Sequence, residues 1–118
     1  MNDLPRKGIT VNDDLSSLNF IATILTSKWT LPVVYTLKNQ TRRYYELQKS
    51  LPNITQKMLT ATLRRLETNG LVKRKVYPTI PPKVEYKLTE FGLEILGVVE
   101  KVNVWAKDNP LITKVIQD

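Results

Sequence analysis

Between Thr55 and Asn69 the chain reads TQKMLTATLRRLETN. At about 100° per residue, Leu59, Leu63 and Leu66 fall within an arc of roughly 60°, Lys57, Ala61, Arg64 and Thr68 lie opposite, and Thr60 and Arg65 sit on the flanks. One side is apolar; the other carries cations, hydroxyls and a small residue, with no bulky aromatic among them. Lys, Arg and Gln donate to the acceptors on base edges and to phosphate oxygens, so such a face fits the major groove of duplex DNA. The same pattern also describes an ordinary amphipathic surface helix, and the neighbouring elements decide between the two.

Those elements place the stretch well. A short helix is expected over Tyr45 to Ser50, ended by Pro52, whose ring drives Leu51 out of helical geometry. Thr55 is a suitable N-cap for the next helix, and Gly70 suits the left-handed position that closes it after Asn69. The unit is helix, tight turn, helix, and it leaves Thr55, Gln56 and Lys57 at an outward amino end that can meet a groove or a phosphate. From Leu71 to Tyr77 the residues are β-prone, and Val84, Tyr86 and Leu88 alternate with Glu85 and Lys87, so the two runs should pair as a hairpin with Pro78 to Pro82 at its tip. Lys73, Arg74, Lys75 and Lys83 flank that tip, where a two-stranded wing could lie along the backbone or in the minor groove. The prolines at 78, 81 and 82 restrict the tip and lower the entropy lost when it docks. Ahead of the unit, Arg42 and Arg43 add two cations, and Tyr44 is expected to anchor the short helix rather than to stack on bases.

Charge follows the same segment. The 118 residues hold 18 Lys and Arg against 11 Asp and Glu, a net +7. From Thr41 to Lys87 there are 11 basic and 3 acidic residues, and everything outside that window holds 7 and 8, so the surplus is entirely central. A polyanion met by one face would call for this distribution, and a merely solvated basic surface is the plainer alternative. Neither Cys nor His occurs, which excludes disulfides, thiolate or imidazole nucleophiles, thiol redox sensing and imidazole metal sites. The acids Asp13, Asp14, Glu46 and Glu67 are scattered and form no nucleophile–base pair or metal cluster, so no enzyme and no cofactor are expected. No apolar run approaches the roughly 18 residues that cross a bilayer, and Met1 to Thr10 lacks an apolar signal core, so a cytoplasmic location and no membrane partner are expected.

The ends have a different character. After a polar arm to about Asn12, Leu15, Leu18, Ile21, Ala22 and Leu25 recur at three- and four-residue steps, predicting a helix from Asp14 to Thr26. Ser27 can cap a second helix bearing Trp29, Val33, Val34 and Leu37, with Pro32 tolerated in its first turns, and Asn39 to Thr41 reads as a turn. Thr89 opens a long helix in which Phe91, Ile95, Val98, Val102 and Trp105 follow heptad-like steps. Gly92 and Gly97 within it imply bending or the close approach of another backbone. Beyond Pro110, Leu111, Ile112, Val115 and Ile116 form a last apolar patch. Trp29 and Trp105 read as core or interface residues, and Met58 as core or flanking.

The run from Lys28 to Leu96, containing KW, RRYYEL and LPNITQKMLTATLRRLETNGLVKRKVYPTIPPKVEYKLTEFG, resembles the HxlR family of winged helix-turn-helix transcription regulators, relatives of the MarR group. The resemblance implies a dimeric DNA-binding repressor or activator, with Thr55 to Asn69 as recognition helix, Tyr77 to Val84 as wing and the terminal helices as dimer interface. It departs from the family where many members carry a sensing cysteine, since Val11 to Leu18 contains none.

The expected fold is therefore mainly α with a small β-hairpin: one winged-helix domain over residues 1–118, with an arm and dimerisation helix over 1–26, a winged core over 27–88 and dimerisation helices over 89–118. A monomer of this size has little capacity to cover the apolar stripes outside its core, which favours a homodimer through Leu15, Leu18, Ala22, Leu25, Phe91, Ile95, Val98, Val102, Trp105, Leu111, Ile112 and Val115. The expected partner of its basic face is double-stranded DNA. A winged-helix module for protein partners is the alternative, opposed by the lysine-rich surface; single-strand or RNA binding would call for more exposed aromatics on a basic groove. Space between the terminal helices and the core could take a small apolar effector, but no convergent polar set marks one.

Overall fold

A computed structural model describes residues 14–117; the polar arm expected up to Asn12 lies outside the described residues. The elements are α1 (Ser16–Leu25), α2 (Thr30–Thr36), β1 (Arg42–Arg43), α3 (Tyr44–Ser50), α4 (Gln56–Thr68), β2 (Val72–Tyr77), β3 (Lys83–Leu88), α5 (Glu90–Lys107) and α6 (Pro110–Gln117).

Local chemistry sets most of these boundaries. Thr55 caps α4 through its side chain, which accepts from the Met58 amide at 3.0 Å, and Thr89 caps α5 in the same way from the Gly92 amide. Leu51 leaves the helix at φ −118°, ψ 85° ahead of Pro52, and Gly70 closes α4 at φ 81°. Two starts differ from expectation. The second helix begins at Thr30 with Trp29 at its N-cap and no side-chain cap, so Ser27 does not cap it. The third begins at Tyr44 rather than Tyr45, because Glu46 reaches back to the Arg43 amide at 2.8 Å and draws Arg43 into the N-cap position.

The core is a single cluster in which Leu47, Leu59, Leu66 and Leu71 are fully buried and α2, α3, α4 and the base of the hairpin meet. Burying each leucine contributes about 1.5–3 kcal/mol, and this cluster is what holds α4 in place. The hairpin pairs in register from Val72 opposite Leu88 to Tyr77 opposite Lys83. It is joined by an unexpected third strand: β1 lies against β3, with Arg42 opposite Tyr86 and Arg43 opposite Glu85, giving the order β1-β3-β2. Two residues are too few to show a period in sequence.

Gly92 marks a close backbone approach, since a Cβ there would stand 2.2 Å from the Leu71 carbonyl oxygen. Gly97 has no such neighbour among the described residues.

The apolar stripe of the long helix is divided. Ile95 is buried with Leu96 in the core, which corrects its expected place in a dimer interface: its position on α5 still faces the winged core. Leu25 is half-buried against the same core, as is Trp29. By contrast Leu15, Leu18, Ala22, Phe91, Val98, Val102, Trp105, Leu111 and Val115 are exposed, with Ile112 between the two classes. The radius of gyration, 17.9 Å, exceeds the roughly 13–14 Å of a compact chain of this length, in keeping with uncovered terminal helices.

Candidate nucleic-acid interface

Helix α4 is presented by three fixings. Its cap orients the first turn, its buried Leu59, Leu63 and Leu66 hold one side to the core, and Tyr44 on α3 holds its flank, the phenol lying 3.0 Å from the Gln56 carbonyl oxygen and 2.9 Å from the Thr60 hydroxyl. What remains outward is a shallow surface lined by Gln56, Lys57, Thr60, Ala61 and Arg64. Lys57 and Arg64 are exposed, as the periodicity requires. Thr55 is exposed at the same end.

Arg65 is not part of this surface. Its guanidinium turns inward and donates to the hydroxyl of Thr30, a fully buried residue at the start of α2, and its Nε is itself buried. Arg65 is therefore corrected from a DNA-facing residue to a tie between α4 and α2. Adjacent positions on a helix point about 100° apart, and the flank it occupies abuts another helix, which the sequence of α4 does not reveal.

The cations of the hairpin divide by strand alternation. Arg74 shares its face with Tyr86 and turns towards α4, where its Nε stands 3.6 Å from the Glu67 carboxylate and where Tyr44, Thr60, Arg64, Arg74 and Tyr86 line a cleft of about 250 Å³. Burial pushes the Tyr86 phenol above its ordinary range. Lys73, Lys75 and Lys83 belong to the other face, opposite Lys87, Glu85 and Tyr77 respectively. There the ammonium groups of Lys75 and Lys83 each stand 4.8 Å from the centroid of the Tyr77 ring. The Tyr77 hydroxyl donates to Glu85 at 2.9 Å and holds that carboxyl below its usual range, with Lys83 at 3.4 Å assisting. Arg43 is exposed beside Glu85, while Arg42 is half-buried with its Nε unpartnered among the described residues.

One residue of this surface has no signal in the sequence pattern: Ile80 at the hairpin tip, an apolar side chain among prolines, is fully exposed. The ties that Glu67 makes from α4 to the hairpin and that Tyr44 makes to Thr60 join elements far apart in the chain and carry no local sequence signal either. Among the described residues no group of three or more acids could hold a metal ion, and no helix is long and apolar enough to cross a membrane.

The sequence pattern of the HxlR-like helix-turn-helix family matches residues 24–112. An uncharacterized HTH-type transcriptional regulator of Methanothermobacter thermautotrophicus is 41% identical over 102 residues, covering 85% of this chain and 78% of its own. The uncharacterized HTH-type transcriptional regulator YybR of Bacillus subtilis is 38% identical, covering 88% and 83%. Among solved structures, a MarR-family transcriptional regulator of Enterococcus faecalis superposes with a TM-score of 0.78 at 30% identity over 95% of this chain and all of that one. The redox regulator HypR in its reduced form gives 0.75 at 36% identity, covering 84% and 98%.

Proposed function

The chain belongs to the HxlR-like helix-turn-helix family of transcriptional regulators, which are DNA-binding proteins rather than enzymes, and from that premise we propose that it binds a specific duplex operator as a homodimer. In this reading Gln56, Lys57, Thr60 and Arg64 enter the major groove, Thr55 and the first turn of α4 meet a phosphate, and the hairpin lies on the backbone or in the minor groove with Lys73, Lys75, Lys83 and Ile80. Arg42, Arg43 and Arg74 supply charge at the margin. The observation that carries it is the surface of α4: every bulky apolar side chain but Met58 is buried, and what faces out is a row of donors, acceptors and an alanine.

The second copy covers the exposed residues of α1, α5 and α6 across a two-fold axis, setting the recognition helices about 34–36 Å apart, one turn of DNA. Similarity to a redox regulator does not extend to thiol chemistry, because these 118 residues contain no cysteine. The signal that controls binding must be of another kind.

Selection from random duplex DNA, followed by titration across salt, tests the proposal. An enriched pseudo-palindrome is expected, bound in preference to single strands, with a log–log salt slope of about −0.9 for each phosphate neutralised. No enrichment, or a chain that sediments as a monomer at micromolar concentration, would refute it.

A further inference from the structure

We infer that Tyr44 sets the hydrogen-bonding polarity of Thr60, so that this threonine reads a base only as an acceptor. The inference rests on the proposed groove contact of α4. Four other helical threonines turn their hydroxyl protons back on their own helix: Thr23, Thr36, Thr62 and Thr113 each donate to the carbonyl four residues earlier, at 2.8 to 3.0 Å. Thr60 does not. The carbonyl it would use is that of Gln56, and the Tyr44 hydroxyl donates to it at 3.0 Å.

Proton accounting settles the rest. A carbonyl oxygen can only accept, so the single proton of the Tyr44 phenol is spent on Gln56. The 2.9 Å contact between the two hydroxyls must then be donated by Thr60, whose only proton points at Tyr44. The lone pairs and methyl of Thr60 remain. Thr60 borders both the outward surface, with Gln56, Lys57, Ala61 and Arg64, and the inner cleft, so its lone pairs and methyl are what it can offer to a groove. A threonine bonded back to its own helix can release that proton to a keto group at little cost, because the carbonyl it leaves keeps its backbone amide partner, whereas release by Thr60 would strip the Tyr44 oxygen of its donor. Held by Tyr44, Thr60 favours the N6 amino group of adenine or the N4 amino group of cytosine, and disfavours thymine O4 and guanine O6. Tyr44 thus acts as a positioning residue for specificity from its half-buried place on α3.

The test uses the full chain and a duplex that the wild-type protein itself selects from a random pool. Thr60→Val, which keeps the shape and removes the hydroxyl, identifies the base position that Thr60 reads. At that position wild type should lose about fivefold in affinity when adenine is replaced by purine, or cytosine by 2-pyrimidinone, since each analogue lacks the amino group and one hydrogen bond contributes about 1 kcal/mol. Tyr44→Phe should bind the selected duplex within about twofold of wild type yet gain on the keto-bearing sequence, flattening the preference there and nowhere else. A uniform loss on all sequences with Tyr44→Phe, or a wild-type preference for a keto group at the Thr60 position, would overturn the inference. Failure of wild type to select any duplex would instead sink the operator-binding proposal beneath it.

Discussion

The terminal helices are richer in apolar residues than the winged core, yet the two regions use those residues in opposite ways. In the core Leu47, Leu59, Leu66 and Leu71 are completely covered, and polar groups such as Thr30 and Thr62 are buried too. Along α1, the outer half of α5 and α6, residues as large as Leu18, Trp105 and Ile116 are more than half exposed, at 62%, 62% and 78%. Isolated exposed apolar residues are ordinary, but a surface running over three helices is the mark of an interface.

That contrast can be broken at either end. Leu66→Ala should cost the most, about 2–5 kcal/mol, because it opens a cavity in a fully packed site; a large fall in the urea midpoint would be seen, and a small one would mean that the core is looser than its burial implies. A paired change on the other side, Val102→Ala with Trp105→Ala, should leave the far-ultraviolet circular dichroism intact while weakening self-association by about 2–4 kcal/mol, read by sedimentation equilibrium. Unfolding without dissociation would erase the distinction between the regions.

The same division recurs at the scale of two adjacent arginines. Arg64→Ala should weaken operator binding by about 1–3 kcal/mol if it reads a base, with Lys57→Ala close behind if it does the same. Arg65→Ala should instead lower stability, through the loss of its bond to Thr30, and leave the affinity of the folded protein nearly unchanged. Titration of both variants on one duplex sharpens the comparison, and equal losses of affinity would undo it.

The smallest effect concerns the outer face of the hairpin. Glu85 titrates below its ordinary range, so its contribution is present above that range and is lost as pH falls through the lowered value. Tyr77→Phe removes the principal cause, and the carboxyl titration followed by NMR should move up towards the ordinary range.

Much of this was legible in the chain because it is local. The cap at Thr55, the stop at Gly70, the break before Pro52 and the Leu59, Leu63 and Leu66 stripe depend on neighbours within one or two helical turns, and those neighbours are adjacent in sequence. The central charge surplus and the absence of cysteine are fixed by composition alone. Tertiary structure decided what depends on partners far along the chain. It paired Arg42 and Arg43 with β3, turned Arg65 towards Thr30 while leaving Arg64 outside, drew Ile95 out of an apparently continuous stripe into the core, and aimed Tyr44 at Thr60. The physical reason is that periodicity assigns a residue to a side of its own helix, whereas its hydrogen-bond partner and its burial depend on which other element packs there.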